Sequence, residues 1–486
     1  MTKATWGLGW LLLLGLLSSA ATAQTSAPAK ISAGGFHSCG LNTSGGADCW
    51  GANGYGQLSG SANAGVSTFS QPGPYVSVSS GDLHSCGLRQ DGGIDCWGRN
   101  GDGQLDGVLF GTVDSTTRSG SYTAVTTGSF HSCGLLQDGH VECWGRNGAG
   151  QLNGVPNSNT SASTVDTYVA VSAGNLHSCG LKQDGGVDCW GSNAHGQLDG
   201  TPGTSVHNAN RAGPYLSVSA GNLHSCAVKQ DGSVDCWGNN DHGQLDGMPG
   251  NTRDANKAGD YVAISAGRHH SCGVTANGDV DCWGSNEYGQ LNGIPAHTVH
   301  SARMTGPFVE VSAGLHHSCA IRSNGVRVCW GDDRYGQAPR LQILPAALPS
   351  GQVGQMYAST QLALVDAGLQ ADGDYQPSTT AFALVTGALP NGLSLSANGV
   401  ISGTPTVNGA FSFTVEGEDA NRFVASRDYT LTIGACIGAG YTGTQLLWCQ
   451  KICESGLSGR ALDTWIHRWI SRYRDLPYCL ATTPQS

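Results

Sequence analysis

The sequence predicts an all-β chain in three parts: a closed ring of seven like units, a smaller β-module, and a short helical tail stapled by disulfides. Three observations carry that reading. A His-Ser-Cys tripeptide recurs seven times, at His37, His84, His131, His177, His224, His270 and His317, every 46 or 47 residues. Such a period marks stacked supersecondary units, and seven copies suit a closed ring better than a short open solenoid. With 74 glycines and 12% charged residues in 486, the chain is rich in turns and strands rather than helix. Short runs such as Tyr168-Val-Ala-Val-Ser172 alternate in polarity, the period of two that half-buried strands show.

The N-terminus bounds the compartment. Lys3 precedes an apolar run from Trp6 to Leu17 and small residues ending Ala21-Thr22-Ala23, the three regions of a cleavable secretory signal over residues 1–23. The run is shorter than the roughly 20 residues that span a bilayer, and no later stretch is apolar enough, so the mature chain is expected without a transmembrane segment, outside the cytoplasm. There the 18 cysteines read first as disulfides. A formal net charge of -11 opposes nucleic acid, whose backbone demands clustered Lys and Arg.

Each His-Ser-Cys cysteine is followed ten residues later by a second cysteine and Trp-Gly. The pairs are Cys39 and Cys49, Cys86 and Cys96, Cys133 and Cys143, Cys179 and Cys189, Cys226 and Cys236, Cys272 and Cys282, and Cys319 and Cys329. In the fourth unit Gln183-Asp184-Gly185 suits a three-residue hairpin loop with glycine at the left-handed position. Pairing Lys182 with Gly186 then sets Cys179 opposite Cys189, within disulfide reach. Each unit is therefore expected to bridge its own hairpin.

That register weakens two sharper readings. A zinc site needs ligands that repeat with the cysteines, yet His195 has a histidine counterpart in His242 alone, with Tyr55, Ala149, Tyr288 and Tyr335 at other equivalent positions. A Cys/His nucleophile needs one free, activated thiol, and seven equivalent copies suit a scaffold better than seven active sites. The histidines are expected to hydrogen-bond the turn after Ser-Ala-Gly, and the seven tryptophans to fill the space between neighbouring units.

The pattern Ser-Ala-Gly-x-x-His-Ser-Cys, Asp-Gly, then Cys-Trp-Gly-x-Asn-x-x-Gly-Gln-Leu resembles the repeat of the regulator of chromosome condensation family over about Ile31 to Gln337. The resemblance implies a seven-bladed β-propeller over residues 24–338. Similar propellers act as a nuclear guanine-nucleotide exchange factor, a plant ultraviolet receptor and a secreted bacterial β-lactamase inhibitor. The paired cysteines depart from the intracellular members, and secretion and acidity set the nuclear role aside, so the resemblance implies fold more firmly than function.

Between Gly-Gln-Leu-x-Gly and the next alternating strand lie stretches with little mutual likeness: Ser61 to Pro74, Val108 to Ser121, Val155 to Thr167, Thr201 to Pro214, Met248 to Asp260 and Ile294 to Pro307. Divergent loops on a rigid ring make a recognition platform. Within them Phe110, Arg211, Arg253 and Arg303 are the residue types that dominate binding energy, and are the candidate partner-binding residues.

Pro339, Pro345 and Pro349 mark a linker, and residues 339–434 are read as that linker plus a module resembling the Ig-like, cadherin-related modules of bacterial surface proteins, without cysteine and with an Asn398-Gly399 turn. Glu416, Glu418 and Asp419 could ligate calcium, although three acids at a loop are usually solvated. In the tail, residues 435–486, Thr444 to Glu454 and Ser458 to Tyr473 read as two helices, the second with Leu462, Trp465, Ile466, Trp469, Ile470 and Tyr473 on one stripe. Cys436, Cys449, Cys453 and Cys479 would supply two bridges in any of three pairings.

The fold class is thus all-β, a seven-bladed propeller followed by an Ig-like β-sandwich and a disulfide-stapled helical segment. The function expected is a secreted, monomeric, non-enzymatic recognition protein with no cofactor or metal and an unidentified protein or surface partner. The alternatives are an inhibitor of a secreted enzyme, or a carbohydrate-processing enzyme or accessory factor with its site on the propeller face.

Overall fold

The computed structural model describes residues 31–42, 44–62, 67–110, 114–158, 160–203, 205–366, 377, 379–434, 436, 441–453, 455, 457–477 and 480. Residues 1–23, read above as a secretory signal, and Cys479 lie outside the described residues. Seven sheets follow one another, each an antiparallel meander: six have four strands and the seventh has three. Blade four is representative, with strands Ala170–Ala173, His177–Leu181, Val187–Gly191 and Asn208–Arg211. Its hairpin closes by Lys182 N–H to Gly186 O at 2.8 Å, Gly185 sits at φ 85°, and Cys179 pairs with Cys189. All seven local disulfides form, with Cα atoms 4.0–4.1 Å apart. The sequence reading left out the fourth, outer strand, which runs inside the variable stretches.

Three closed circuits of contacts join the blades. In the first, each buried His-Ser-Cys histidine reaches the serine of the next blade: His37 to Ser85, His84 to Ser132, His131 to Ser178, His177 to Ser225, His224 to Ser271, His270 to Ser318, and His317 back to Ser38, at 2.7–2.9 Å. This corrects the expectation that the imidazoles serve their own turns. Each of these serines donates its hydroxyl to a Gln carbonyl in the blade before it, as Ser225 does to Gln197 O at 2.9 Å. With its proton so committed, the hydroxyl must accept from the imidazole, which fixes the Nε2–H tautomer.

The second circuit compensates for inner strands too splayed to pair. A Ser or Thr hydroxyl on each inner strand accepts a backbone N–H from the inner strand of an adjacent blade: Ser32 from Ser80, Ser79 from Thr127, Thr126 from Ala173, Ser172 from Ala220, Ser219 from Ala266, Ser265 from Ala313, and Ser312 from Ala33. The third is steric. A Cβ on any Ser-Ala-Gly glycine would lie 2.0–2.6 Å from the carbonyl oxygen of its counterpart in the following blade, as between Gly128 and Gly174, so only glycine fits.

Tryptophans fill the gaps between blades, as expected. Each indole packs into the core of the preceding blade, Trp237 on Leu198 and Val187 for example, and Trp50, Trp97, Trp237, Trp283 and Trp330 donate Nε1–H to the same Gln carbonyl that the serine uses. The Asn-x-x-Gly-Gln-Leu loop presents that carbonyl by satisfying itself: in blade four Asn193 Oδ1 accepts from Leu198 N–H and Gln197 Oε1 from His195 N–H, each at 2.9 Å.

The Ig-like module has its own core, including Ile343, Leu364, Phe382, Ile401, Phe413, Val415, Tyr429 and Leu431. It adjoins the open edge of blade seven. The tip of the hairpin between strands Gly409–Asp419 and Val424–Gly434 lies against Arg327: Arg327 N–H donates to Arg422 O at 3.1 Å, and its guanidinium donates to Asn421 O at 2.9 Å and pairs with Asp48 of blade one at 3.4 Å. Phe423 is buried and meets Trp50 edge-on at 5.1 Å.

Register shows what Phe423 replaces. In blades two, four, five and six the first residue of the third strand faces Arg118, Arg211, Lys257 and Met304 on the outer strand. The three cations among these lie over the next blade's tryptophan at 4.3–4.9 Å. Phe423 faces Arg327, the equivalent first residue in blade seven, and covers Trp50. The module thus stands in for the missing fourth strand.

Blade seven also carries Asp333 where the other six have asparagine. One oxygen accepts from Ala338 N–H at 2.8 Å, while Oδ2 has no donor. Burial, then the nearby Asp366 charge, raises this carboxyl to about 7. The folded state therefore holds a proton that the unfolded chain releases, and stability falls as pH rises from about 4 through 7. Asp333→Asn should raise the thermal midpoint at pH 8 and have little effect at pH 4; an unchanged midpoint at pH 8 would contradict this.

The tail folds as helices α1, Gly443–Cys453, and α2, Gly459–Tyr473. Leu462, Trp465, Ile466, Trp469 and Tyr473 pack with Cys436 and Ile452, whereas Ile470, expected on that stripe, is 43% exposed. Cys436 bonds Cys449, and Cys453 is also disulfide-bonded.

Candidate interaction face

Because each blade is an antiparallel meander, the loops between first and second and between third and fourth strands share one end of the ring. The Asp-Gly hairpins and the turns to the next blade share the other. The first end, the loop face, carries the variable positions of Gly-x-x-His and of Asn-x-x-Gly-Gln-Leu.

Two concentric sets of side chains build that face. Around the channel stand residues that follow Ser-Ala-Gly: Asp82, Ser129, Asn175, Asn222, Arg268 and Leu315. The channel holds a cavity of about 150 Å³, below the roughly 300 Å³ at which small-molecule pockets begin, and its lining hydroxyls of Ser32, Ser79, Ser219 and Ser265 are committed to the second circuit. Burial raises the Asp82 carboxyl, against the pull of Ser129 and Arg268.

Further out, three of the loop residues before Gly-Gln-Leu meet a ring of the following blade. His242 lies 4.4 Å from His269, Tyr288 4.4 Å from His316, and Tyr335 5.6 Å from Phe36 across the ring closure. Arg268 reaches His316 at 3.1 Å and Arg334 lies over Tyr288 at 5.4 Å. Burial, then neighbouring cationic groups, lowers His269 to about 3 and His316 to about 4. Neutral imidazole, tyrosine and arginine faces can stack on or donate to a partner; they hold no paired nucleophile and base. The signal for them in the sequence is the pair of variable residues between Gly and His.

The candidate binding residues separate into two kinds. Phe110 is 84% exposed and adjoins the exposed Val108 and Leu109, and Val155, Met248 and Ile294 are exposed at the positions equivalent to Val108 in their blades. Arg211 is instead a blade-to-blade clamp, bidentate to Asp254 at 3.1 Å and stacked on Trp237. Arg253 pairs with Asp241 at 3.5 Å. Arg303 is half exposed but clamped by both oxygens of Asp281.

The metal candidates do not converge. Asp419 is buried, accepting from Asn421 and Phe423 N–H at 3.0 and 2.9 Å, and Glu418 pairs with Arg422 at 3.0 Å. Among the described residues the grouping with metal-ligand spacing is Cys436, Cys449 and Cys453, whose sulfurs are taken by disulfides.

Seven sheets around a channel, with the chemistry on loops, define a β-propeller of the kind that serves as a protein-interaction scaffold. The chain carries seven regulator of chromosome condensation (RCC1) repeats, matched at residues 29–57, 75–104, 122–151, 168–197, 216–244, 261–290 and 308–337, and residues 343–434 match the family described as "Putative Ig domain". No curated protein matches. Among solved structures it is similar to human WBSCR16, at 21% identity over 60% of this chain and 85% of that one, TM-score 0.52. It is also similar to the yeast RCC1 protein Prp20p of Saccharomyces cerevisiae, at 18% identity over 76% and 93%, TM-score 0.54. At these identities the likeness concerns the fold. No helix among the described residues is long and apolar enough to cross a membrane.

Proposed function

We infer that this chain is a secreted recognition protein that binds a protein partner through the loop face of its propeller. One observation carries the reading: an apolar rim of Val108, Leu109, Phe110, Val155, Met248 and Ile294 is exposed on loops that differ from blade to blade. Exposed apolar groups gathered on one face mark interaction sites, while the repeated His, Ser, Trp and Gln are consumed in closing the ring. The buried disulfides suit an oxidising compartment. The solved yeast relative has described binding to Gsp1p and histones, so a propeller of this fold can present protein-binding surfaces.

Two variants separate anchor from clamp. Capture of a partner from native extracellular material by wild-type protein should weaken by about 1–2 kcal/mol with Phe110→Ala, at unchanged thermal stability. Arg211→Ala should lower stability by about 1–2 kcal/mol through loss of its stack and ion pair, leaving the affinity of the folded fraction intact. Full binding by Phe110→Ala would move the site off this rim.

A further inference from the structure

We propose that the C-terminal helical hairpin is a docking surface for anionic lipid membranes. It goes beyond the recognition role of the propeller and does not depend on which face the partner takes. The first observation is charge. Residues 435–486 hold five Lys/Arg against three Asp/Glu in a chain of net charge -11, so the tail is cationic on an acidic body. Lys451, Arg460, Arg468, Arg472 and Arg474 are all exposed. None joins an ion pair among the described residues, where the pairs run from Arg89 to Arg422. In the propeller, by contrast, Arg89, Arg211, Arg303 and Arg327 are each held by a carboxylate.

The second observation is how the guanidiniums are held. Arg468 lies 5.0 Å over Trp465 and Arg472 5.5 Å over Trp448. A guanidinium stacked by its face keeps its in-plane N–H donors for planar, bidentate acceptors, of which phosphate is the commonest. The third is apolar. Leu447, Ile470 and Leu476 are 66%, 43% and 45% exposed on the same hairpin, while the Trp469 core and the Cys436–Cys449 bridge hold the helices together. A rigid helical pair with exposed cations and protruding aliphatic residues fits the interface of a negatively charged bilayer. A soluble anion would leave the aliphatic residues in water.

Flotation of the full chain with vesicles tests this. Binding to phosphatidylcholine vesicles containing phosphatidylglycerol, little to phosphatidylcholine alone, and release by high salt are expected. Arg468→Glu with Arg472→Glu should weaken binding at least about tenfold, and Ile470→Ser with Leu447→Ser should weaken it while keeping the charge. Unchanged helicity and thermal unfolding of these variants exclude misfolding as the cause. Equal binding to neutral vesicles, no binding to either, or full binding by the charge-reversed variant would overturn the proposal. Full partner capture by Phe110→Ala, with flotation as expected, would instead count against the loop-face reading alone.

Discussion

Lowering the pH from 7 to 5 is expected to unfold the ring in one cooperative step that takes up close to seven protons. Burial holds His37, His84, His131, His177 and His224 at about 3, His317 at about 4 and His270 well below 6.5. Each stays neutral in the folded ring, with Nδ1 unpartnered and Nε2–H given to a serine, while in the unfolded chain it protonates near 6.5. The unfolded state therefore binds more protons below that pH, and stability is lost as pH falls through 6.5 toward 3. Each histidine costs up to about 1.4 kcal/mol per pH unit, so seven together reach about 10 kcal/mol one unit down, comparable with the 5–15 kcal/mol that holds a typical domain. Asp333 and Asp82 work the other way, whereas His269 and His316 add to the seven. Denaturant titrations from pH 8 to pH 4 measure the effect directly, and His177→Asn should remove one proton from the uptake. A ring equally stable at pH 8 and pH 4 would refute the account.

The sequence disclosed what is periodic. Ten-residue cysteine spacing and the Asp-Gly loop determine a hairpin register, and Trp at one fixed position must fall at one place in each blade. Relations between blades were harder to read. That His177 meets Ser225 depends on a separation of 48 residues and on how far neighbouring sheets splay, which no local pattern encodes. The outer strands escaped because Asn208–Arg211 and its counterparts differ in sequence, their backbone pairing being indifferent to side chain. For the same reason Arg211 looked like a free anchor: its partners Asp254 and Trp237 belong to another blade. Phe110 kept its exposed position because nothing in the repeat covers it.

Substituting Phe423→Ala is expected to loosen the ring at one seam, between blades seven and one, although residue 423 lies in the Ig-like module. Phe423 covers Trp50 together with Arg327, in the position that an outer-strand residue holds in other blades. Its removal exposes the indole edge and leaves a cavity beside Ile31, Cys319 and Cys329, which for a buried phenylalanine costs about 3–5 kcal/mol. Arg327 would be affected in turn: its guanidinium is nearly inaccessible, bridging Asp48 of blade one and Asn421 of the module, and a buried charge that loses a partner is costly. Hydrogen exchange resolved by blade should therefore rise in strands Ile31–Ala33, Ala47–Gly51 and Arg327–Gly331, with blades three to five protected as before. Uniform exchange across all blades, or stability unchanged by Phe423→Ala, would show that the ring closes without its neighbour. The expected pattern instead makes propeller and Ig-like module one cooperative unit, because a blade lacking its fourth strand relies on Phe423 of the module, beside its own Arg327, to cover the tryptophan at the closure.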